Sequence, residues 1–591
     1  MNAPTIPTEP LHLMRINENI RYEPEERPPH LLSAGLGFQA TLTLLPPIVV
    51  IVAIIVRSAG QSASYLTWAV FSAMVISGAI TVLQSMRVGR FGSGNMLFMG
   101  TSSTFLIVCV LALESGGPAL MATLIVLSSV FYFLLAWRLS LLRRVITPLV
   151  SGVVIMLLSA MAAPIVFDMI GKVPENTPSM AAPIVAAVTF AVVLPISLRA
   201  PLAWQLWAPF IGVAAGCVVS SLFGLYDFQS VAEASWVGIP TLAWPGFDIS
   251  FNAGTWALLA TFMLVAIVSS METIGDGVAV QEVSRRRARA TDFRVIQGAL
   301  NADGLGNLLS GIAGTVPNTT YSSSIPLIAL TGVAARRVGI YAGIILVIAA
   351  FLPKIAAALL AIPGPVVGAY LTVLIGLVFV EGLRAVFKEG INQQKALILG
   401  VSFWVGLGFE YRFILPDLLS GAWETLLGNG MVVGGAIAII LTALVGITRN
   451  RPIRIRTDLD YASLPQINEF LRGFALRAGW DEHSTERLCS AGEETLACLL
   501  QEEVLEDSRK TLLIRASIVN GIADLEFSAA PYEENLEDRL TYLTEQSEIE
   551  DDREISFRLL RHYASSVKHQ KYHSLDLVAV KVQPIGYIPT D

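Results

Sequence analysis

Charge and cysteine are both scarce in this chain of 591 residues. Only 15% of the residues are charged, whereas 54% are apolar and the mean hydropathy is +0.62. A soluble globular protein carries more charge than this, so that class is excluded. The cysteines stand at no metal-ligand spacing, so neither a disulfide framework nor a metal site is predicted. They are Cys109, Cys217, Cys489 and Cys498.

A cleavable leader is also missing. Residues 1–33 mix acids and bases without a short apolar core or a small-residue cleavage site, so this N-terminal tail is expected to stay in the cytoplasm. The net charge of -7 comes largely from an acidic region beyond residue 457. An acidic balance gives no reason to expect a nucleic-acid partner.

Long apolar runs, in contrast, fill residues 34–447. About 20 apolar residues span a bilayer as a helix, and this region divides into about fourteen such segments. They are 34–57, 64–86, 95–113, 118–137, 145–170, 181–198, 205–224, 254–278, 294–314, 317–333, 338–361, 365–387, 394–411 and 430–447. Arg and Lys cluster in every second loop and are absent from 225–253. A polytopic α-helical protein of the inner (plasma) membrane, with both termini cytoplasmic, is therefore predicted.

Two of these segments are small, polar and marked by glycine or proline. Residues 91–105 and 314–327 would make poor full-length helices, and they fall in the third and tenth segments. Matching broken segments in two halves indicate an inverted-repeat transporter with its site at mid-membrane. We therefore expect two inverted seven-segment repeats, with short extended stretches in segments 3 and 10 that line a cavity.

A carboxylate at membrane depth is the strongest functional signal. Residues 256–271 are uncharged and run directly into Glu272, and Asp276 follows one helical turn later on the same face. Glu272 is predicted to face a solute, taking up and releasing a proton during transport. Asp276 is equally compatible with a solvated helix end, and Asp303 with a structural cap of the ninth segment.

Residues 448–591 are a different kind of chain. Residues 464–471, 485–500 and 555–563 have the periodicity of amphipathic helices. Residues 512–519 and 523–527 alternate like strands joined by Asn520-Gly521, which is a strong hairpin signal. A last strand is predicted at 574–582. We expect a separate cytoplasmic α+β domain large enough to bury its own core.

Several motifs in the membrane region resemble one transporter family. They are Met271–Asp276, Asn301–Asn307, Gly314-Thr315, Ala329–Val338, and Leu352–Ile355 with Ile362-Pro363. Together they are similar to the nucleobase-cation symporters, also called nucleobase-ascorbate transporters or xanthine/uracil permeases. The resemblance implies core and gate domains, frequent homodimers, and transport of a uracil- or purine-like base with H+ or Na+. It also implies that Glu272 hydrogen-bonds the N–H groups of the base.

The chain departs from that family at the expected binding positions. A Gln or Glu followed by Asn is replaced by Ser323 and Ser324, and a Gln-His pair reads Gln39-Ala40. Ser103 stands where an aromatic residue often follows Gly-Thr-Ser. The predicted substrate-binding residues are Glu272, Ser102, Ser103, Ser323, Ser324 and Gln39, and the predicted proton-coupling residues are Glu272, Asp276 and Asp303. No cofactor is expected beyond the coupling ion.

The C-terminal region resembles the histidine-kinase-like ATPase domain of anti-sigma-factor kinases, with Gly492-Glu493-Glu494 on a helix. Cys498 occupies the position of the Mg2+-binding Asn, and acidic runs at 533–538 and 551–556 replace the glycine-rich nucleotide loops. Acids repel phosphates, and without glycine the backbone cannot wrap them. This implies a non-catalytic regulatory or docking module for a cytoplasmic protein, or a domain that stabilises the dimer.

The expected function is therefore proton-coupled uptake of a nucleobase such as xanthine or uracil, by a transporter that is not an enzyme. Two alternatives stay open. One is a base-sensing, transport-dead receptor that signals through its C-terminal domain. The other is an anion transporter of the sulfate-permease type, although a basic centre would favour it and this centre is acidic.

Overall fold

The computed structural model describes residues 19–139, 148–171, 173–174, 177–201, 204, 207–250, 252–287, 289–387, 390, 392–414, 430–448, 452–500, 511–519, 521–529, 553–572 and 576–585. Residues 1–18 of the predicted N-terminal tail, the acidic run at 533–538 and positions 551–552 lie outside the described residues. The chain divides into two compact units. The membrane unit is Asn19–Ser284 with Ile296–Leu444, and the C-terminal unit contains Arg285–Val295 with the described part of Val445–Asp591.

Helices dominate the chain up to residue 448. They are α1 (His30–Ser58), α2 (Ala63–Met86), α3 (Leu106–Trp137), α4 (Pro148–Gly171), α5 (Ala181–Arg199), α6 (Ala208–Leu222), α7 (Phe228–Glu233), α8 (Ala253–Val283), α9 (Phe293–Ala313), α10 (Ser324–Thr331), α11 (Arg336–Ala350), α12 (Pro353–Leu360), α13 (Gly364–Phe387), α14 (Gln393–Glu410) and α15 (Gly430–Thr448). Among the described residues, seven helices are long and apolar enough to cross a membrane, or up to eight if one bent pair is a single span. The protein is thus a predominantly helical, multi-pass membrane protein, as predicted.

One predicted segment is not a single helix. Residues 338–361 were expected to span the membrane in one piece, but the chain bends by 83° between α11 and α12. Pro353 explains the break, because proline lacks the N–H that would continue the helix and disfavours helical backbone in the preceding residue. Within α3, Gly117 adopts a φ of 72° that interrupts the helix just before Pro118.

The two broken segments each contain a short strand. β1 (Phe98–Thr101) and β2 (Asn318–Tyr321) pair in antiparallel register, with Gly100 opposite Thr319. Their backbone groups satisfy one another, which removes the cost of leaving them unpaired in an apolar interior. The extended stretches predicted in the third and tenth segments are therefore confirmed, and they lie side by side.

Helices of the membrane unit pack in two groups. α2 crosses α11 where a Cβ atom on Gly78 would lie 2.6 Å from the carbonyl oxygen of Gly343. α4 crosses α13 in the same manner, at Gly152 and Gly382. Small residues at such crossings let the backbones approach closely. The first group is α1, α2, α3, α8 and α11, and the second is α4, α5, α6, α13 and α14.

The C-terminal unit contains a five-stranded antiparallel sheet. Its strands are β3 (Ile453–Asp458), β4 (Thr511–Val519), β5 (Ile522–Ala529), β6 (Ser566–Lys571) and β7 (Asp576–Val582), in the order β3-β4-β5-β7-β6. Its helices are α16 (Leu464–Arg477), α17 (Glu482–Leu500) and α18 (Arg553–Tyr563). Ile514, Leu525 and Phe527 are fully buried in a core shared with α16 and α17. The predicted hairpin, helices and last strand are present, whereas β3 and β6 were not predicted.

Candidate functional site

Glu272 lies on α8, at the level of the strand pair. Thr104 Oγ1 donates a hydrogen bond of 3.3 Å to Glu272 Oε2. Thr104 occupies a short 3-10 turn, Ser103–Phe105, which follows β1 after one intervening residue and leads into α3. The break in the third segment therefore brings a hydroxyl to the carboxylate, which a continuous apolar helix in that place would not supply.

A cavity of about 730 Å³ opens in front of Glu272. Its wall is mainly apolar, and Glu272 is the one acidic or basic side chain among the described residues that line it. The polar side chains on the wall are Thr43, Ser103, Ser221, Tyr226, Glu272, Tyr321, Ser322, Ser323 and Tyr370. An apolar cleft with few, convergent polar groups is typical of a small-molecule site. A carboxylate at its edge accepts hydrogen bonds from ligand N–H groups.

Asp276 supports this wall without forming part of it. It is 5% exposed, and it accepts hydrogen bonds from Thr320 Oγ1 at 2.8 Å and from Ser322 Oγ at 2.7 Å. Because Ser322 lines the cavity, Asp276 fixes the orientation of a wall hydroxyl. It also anchors the end of β2 to α8, one turn beyond Glu272.

Asp303 lies deeper, on α9. It is fully buried and accepts a hydrogen bond from Thr273 Oγ1, while its Oδ1 atom has no hydrogen-bond partner among the described residues. The hydroxyl of Thr320 lies 3.4 Å from that of Thr273. A chain of hydroxyl groups therefore links Asp303 through Thr273 and Thr320 to Asp276.

The structure separates the predicted serines. Ser103 and Ser323 line the cavity with Glu272, whereas Ser102 and Ser324 are buried and are not among the lining residues. Gln39 lies in a small crevice beside the cavity, where it shares the wall with Thr43 and Ser323. Thus only Ser103 and Ser323 share the cavity wall with Glu272, while Gln39 is in an adjoining space.

Sequence reasoning missed several residues that contribute to this site. Tyr321 lines the cavity and donates a 2.9 Å hydrogen bond to the carbonyl oxygen of Thr101. Its ring covers Gly100, where an added Cβ would lie 2.3 Å from Tyr321 Cζ. The broken segments were a signal for Tyr321, Ser322 and Thr104. Tyr370 gave none, because it stands within an apolar helix.

The C-terminal unit has its own partly buried acid. Glu494 lies on α17, where burial raises its pKa and a hydrogen bond from Ser556 lowers it in part. Cys498, one turn later, is fully buried in the core of this unit. The side chain at the position expected for a Mg2+ ligand therefore packs inside the domain. Among the described residues of the whole chain, no group of three or more His, Cys, Asp or Glu side chains is arranged to hold a metal ion.

The membrane region matches a known family as a whole. The family model Xan_ur_permease, described as a permease family, matches residues 33–414. The chain belongs to this permease family. Membership makes the protein a membrane transporter rather than an enzyme, as predicted, and it accounts for the motifs around Glu272, Asp303 and Gly314. The match does not extend to residues 445–591.

Relatives of this permease cover most of its membrane region. A predicted purine permease of Clostridium perfringens is 31% identical over 412 residues, which are 69% of this chain and 89% of the relative. The xanthine permease XanP of Escherichia coli K12 is 28% identical over 446 residues, 72% of this chain and 95% of XanP. The nucleobase transporter PlUacP of Paenibacillus larvae is 30% identical over 434 residues, 70% of this chain and 95% of PlUacP.

Proposed function

We propose that this permease is a secondary active transporter that takes up a nucleobase, such as xanthine, uracil or a related purine or pyrimidine, by symport with a proton across the plasma membrane. The observation that carries the proposal is Glu272, a single carboxyl group on the wall of an otherwise uncharged cavity. The relatives named as purine, xanthine and nucleobase permeases support this substrate class.

Recognition of the base is assigned to Glu272 and the hydroxyls around it. The carboxylate accepts hydrogen bonds from ring N–H groups, while Ser103, Ser322 and Ser323 offer hydroxyls that both donate and accept. The ring of Tyr321 supplies an aromatic surface on the cavity wall, which offsets the aromatic residue missing at Ser103. Ser323 fixes fewer hydrogen bonds than the amide usual in the family, so selectivity among bases is expected to be broad.

Proton coupling is assigned to Glu272, Asp276 and Asp303. Burial makes an ionised carboxylate costly, so a proton that enters with the base stabilises the loaded site. The hydroxyl chain through Thr273 and Thr320 connects two of these acids. The buried carboxylate and hydroxyl oxygens could equally coordinate Na+. Na+ is therefore the alternative coupling ion.

The wider architecture is proposed from the same features. β1 and β2 occupy corresponding places in the two halves and pair in antiparallel register, which supports fourteen spans in two inverted repeats. The two helix groups correspond to the core and gate domains of such a fold. The distribution of Arg and Lys supports placing residues 1–33 and 448–591 in the cytoplasm, around a membrane domain of 34–447. A homodimer is proposed from the family resemblance alone.

The C-terminal domain is proposed to be a non-catalytic relative of the histidine-kinase-like ATPase domains. The strand and helix order and the buried Cys498 support a degenerate kinase-like domain with no nucleotide chemistry. It is proposed to act as a regulatory or docking module for a cytoplasmic protein.

The deciding experiment is uptake into proteoliposomes. Radiolabelled xanthine, uracil, urate and sulfate are each offered under an inward proton gradient, with an inward Na+ gradient as a second arm. Accumulation of at least one base that collapses with a protonophore is expected. Base binding without uptake would instead support the receptor, and accumulation of sulfate but of no base would support the anion transporter, which the permease relatives do not favour.

Glu272→Gln tests the assigned acid in the same vesicles. The variant keeps the side-chain shape but cannot gain or lose a proton, so gradient-driven accumulation is expected to be abolished. Glu410→Gln is the matched control, because Glu410 contacts the backbone N–H of Gly430 and does not line the cavity. Full gradient-driven uptake by Glu272→Gln would remove Glu272 from the coupling mechanism.

A further inference from the structure

The C-terminal unit includes a piece of chain from between two membrane helices. Residues 285–295, here called the docked segment, join α8 to α9 and group with the C-terminal residues rather than with the membrane unit. Asp292 forms a parallel β-bridge with Lys571, at the end of β6. Next to it, the ring of Phe293 packs on that of Tyr572, with centroids 5.1 Å apart.

β6 is the outermost strand of its sheet, and such edges usually carry exposed charges that block further pairing. Here Lys571 and Tyr572 are only 2% and 1% exposed. The edge of β6 is therefore buried where it contacts the docked segment. It has the form of strand addition, in which backbone pairing is combined with a side-chain anchor.

The docked segment runs directly into α9, which begins at Phe293 within the segment. The backbone N–H of Arg294 donates to Asp292 Oδ1 at 2.9 Å, and the Arg294 guanidinium holds both oxygens of the same carboxylate. A displacement of Asp292 is therefore passed to the first turn of the helix that carries Asp303. The other end of the segment continues into α8, which carries Glu272. The bond from Thr273 to Asp303 ties these two helices together.

We propose that the C-terminal domain binds the docked segment at the edge of β6, and that this contact controls how fast α8 and α9 rearrange during transport. When the docked segment is bound to β6, it restrains both helices that carry the acids of the site. When it is released from β6, the two helices are free to move. The partner of this edge is therefore a segment of the same chain, and any ligand of the C-terminal domain that displaces it would change the transport rate.

A reversible disulfide tests the contact. Neighbouring strands lie about 4.8 Å apart, within the range of Cα separations that a disulfide bridges. Asp292→Cys with Lys571→Cys is therefore expected to form an intramolecular disulfide in the membrane. Asp292→Cys with Lys568→Cys is the matched control, because Lys568 lies on the same strand three residues earlier and is exposed. Equal disulfide formation in both pairs would overturn the proposal.

Two rates are then measured in the protein locked by the disulfide between positions 292 and 571. One is the initial rate of xanthine uptake, which rests on the proposed function. The other is the rate at which a water-soluble maleimide labels Cys217, a native residue on the cavity wall, which does not depend on it. We expect both rates to fall at least threefold in the locked protein and to recover with dithiothreitol. Each single cysteine variant should be unaffected by oxidation.

The outcomes separate the two proposals. If locking leaves the labelling of Cys217 unchanged, the contact does not control the cavity and the inference is wrong. If locking slows labelling but even the unaltered chain accumulates no base, the inference stands and the proposed function fails. Phe293→Ala provides the opposite perturbation, with at least twofold faster labelling expected, whereas Phe293→Tyr keeps the ring and should match the unaltered protein.

Discussion

At the scale of single residues, the site depends on how a buried carboxylate is held. Glu272, on the continuous helix α8, has a hydroxyl partner, Thr104, that comes from the first broken segment of the chain. Asp276 and Asp303 are likewise bonded by hydroxyls of Ser322, Thr320 and Thr273. Such bonds orient an acid in an apolar interior and reduce the cost of its burial.

Thr104→Ala tests the bond to Glu272. A hydrogen bond to a charged group contributes about 1.5–3 kcal/mol, so its loss is expected to raise the KM for the transported base by roughly tenfold or more. Thr104→Ser keeps the hydroxyl and should stay within about twofold of the unaltered protein. Initial uptake rates over a range of base concentrations give both values. An unchanged KM in Thr104→Ala would show that this bond does not orient the binding carboxylate.

At the scale of secondary structure, the paired strands β1 and β2 decide where the site lies. They place Ser103 and Ser322 at the same cavity, although these residues are more than 200 positions apart in the sequence. The pair tolerates little extra volume. Gly100 lies directly beneath the Tyr321 ring, so this position requires a residue without a side chain.

Gly100→Ala tests that packing. A methyl group placed 2.3 Å from Tyr321 Cζ must displace the ring, and overpacking of this kind costs about 1–3 kcal/mol. A lower melting temperature of the purified protein and impaired uptake are expected. Adding Tyr321→Ala should restore the melting temperature in part, by making room. Gly376→Ala is the control, because an added Cβ there meets nothing within 4 Å. Equal melting temperatures for the two glycine variants would contradict this reading.

At the scale of the whole molecule, two units with separate cores share one chain. The C-terminal core contains Phe527, Leu525 and Ile514, all fully buried. Each unit therefore has its own hydrophobic driving force for folding. A destabilising substitution in the C-terminal core is expected to unfold that domain while leaving the cavity of the membrane unit intact.

Phe527→Ala tests this independence. Loss of a buried phenylalanine ring destabilises a domain by about 3–5 kcal/mol. Limited proteolysis should then cleave the C-terminal domain faster, while the KM for the transported base stays within about twofold. Leu476→Ala is the control, since Leu476 is 73% exposed. Loss of base binding in Phe527→Ala would show that the membrane unit needs the C-terminal domain to form its site.

Much of the secondary structure could be predicted from local pattern. The apolar runs marked most of the helices, Asn520-Gly521 marked the hairpin, and the polar breaks marked β1 and β2. β6 was missed because Ser566–Lys571 is polar and shows no apolar alternation. Its side chains His569 and Lys571 are buried by their surroundings, which local sequence does not reveal.

The sequence by itself determined that the protein crosses a membrane and that two segments must be broken, and it predicted Glu272 as the carboxylate of the site. These conclusions follow from hydropathy and backbone chemistry, which act over a few residues. Only the tertiary structure decided that Thr104 reaches Glu272, that Asp276 supports the cavity wall without lining it, and that residues 285–295 group with the C-terminal domain. These contacts join residues far apart in the chain, and their positions are set by packing that no local pattern records.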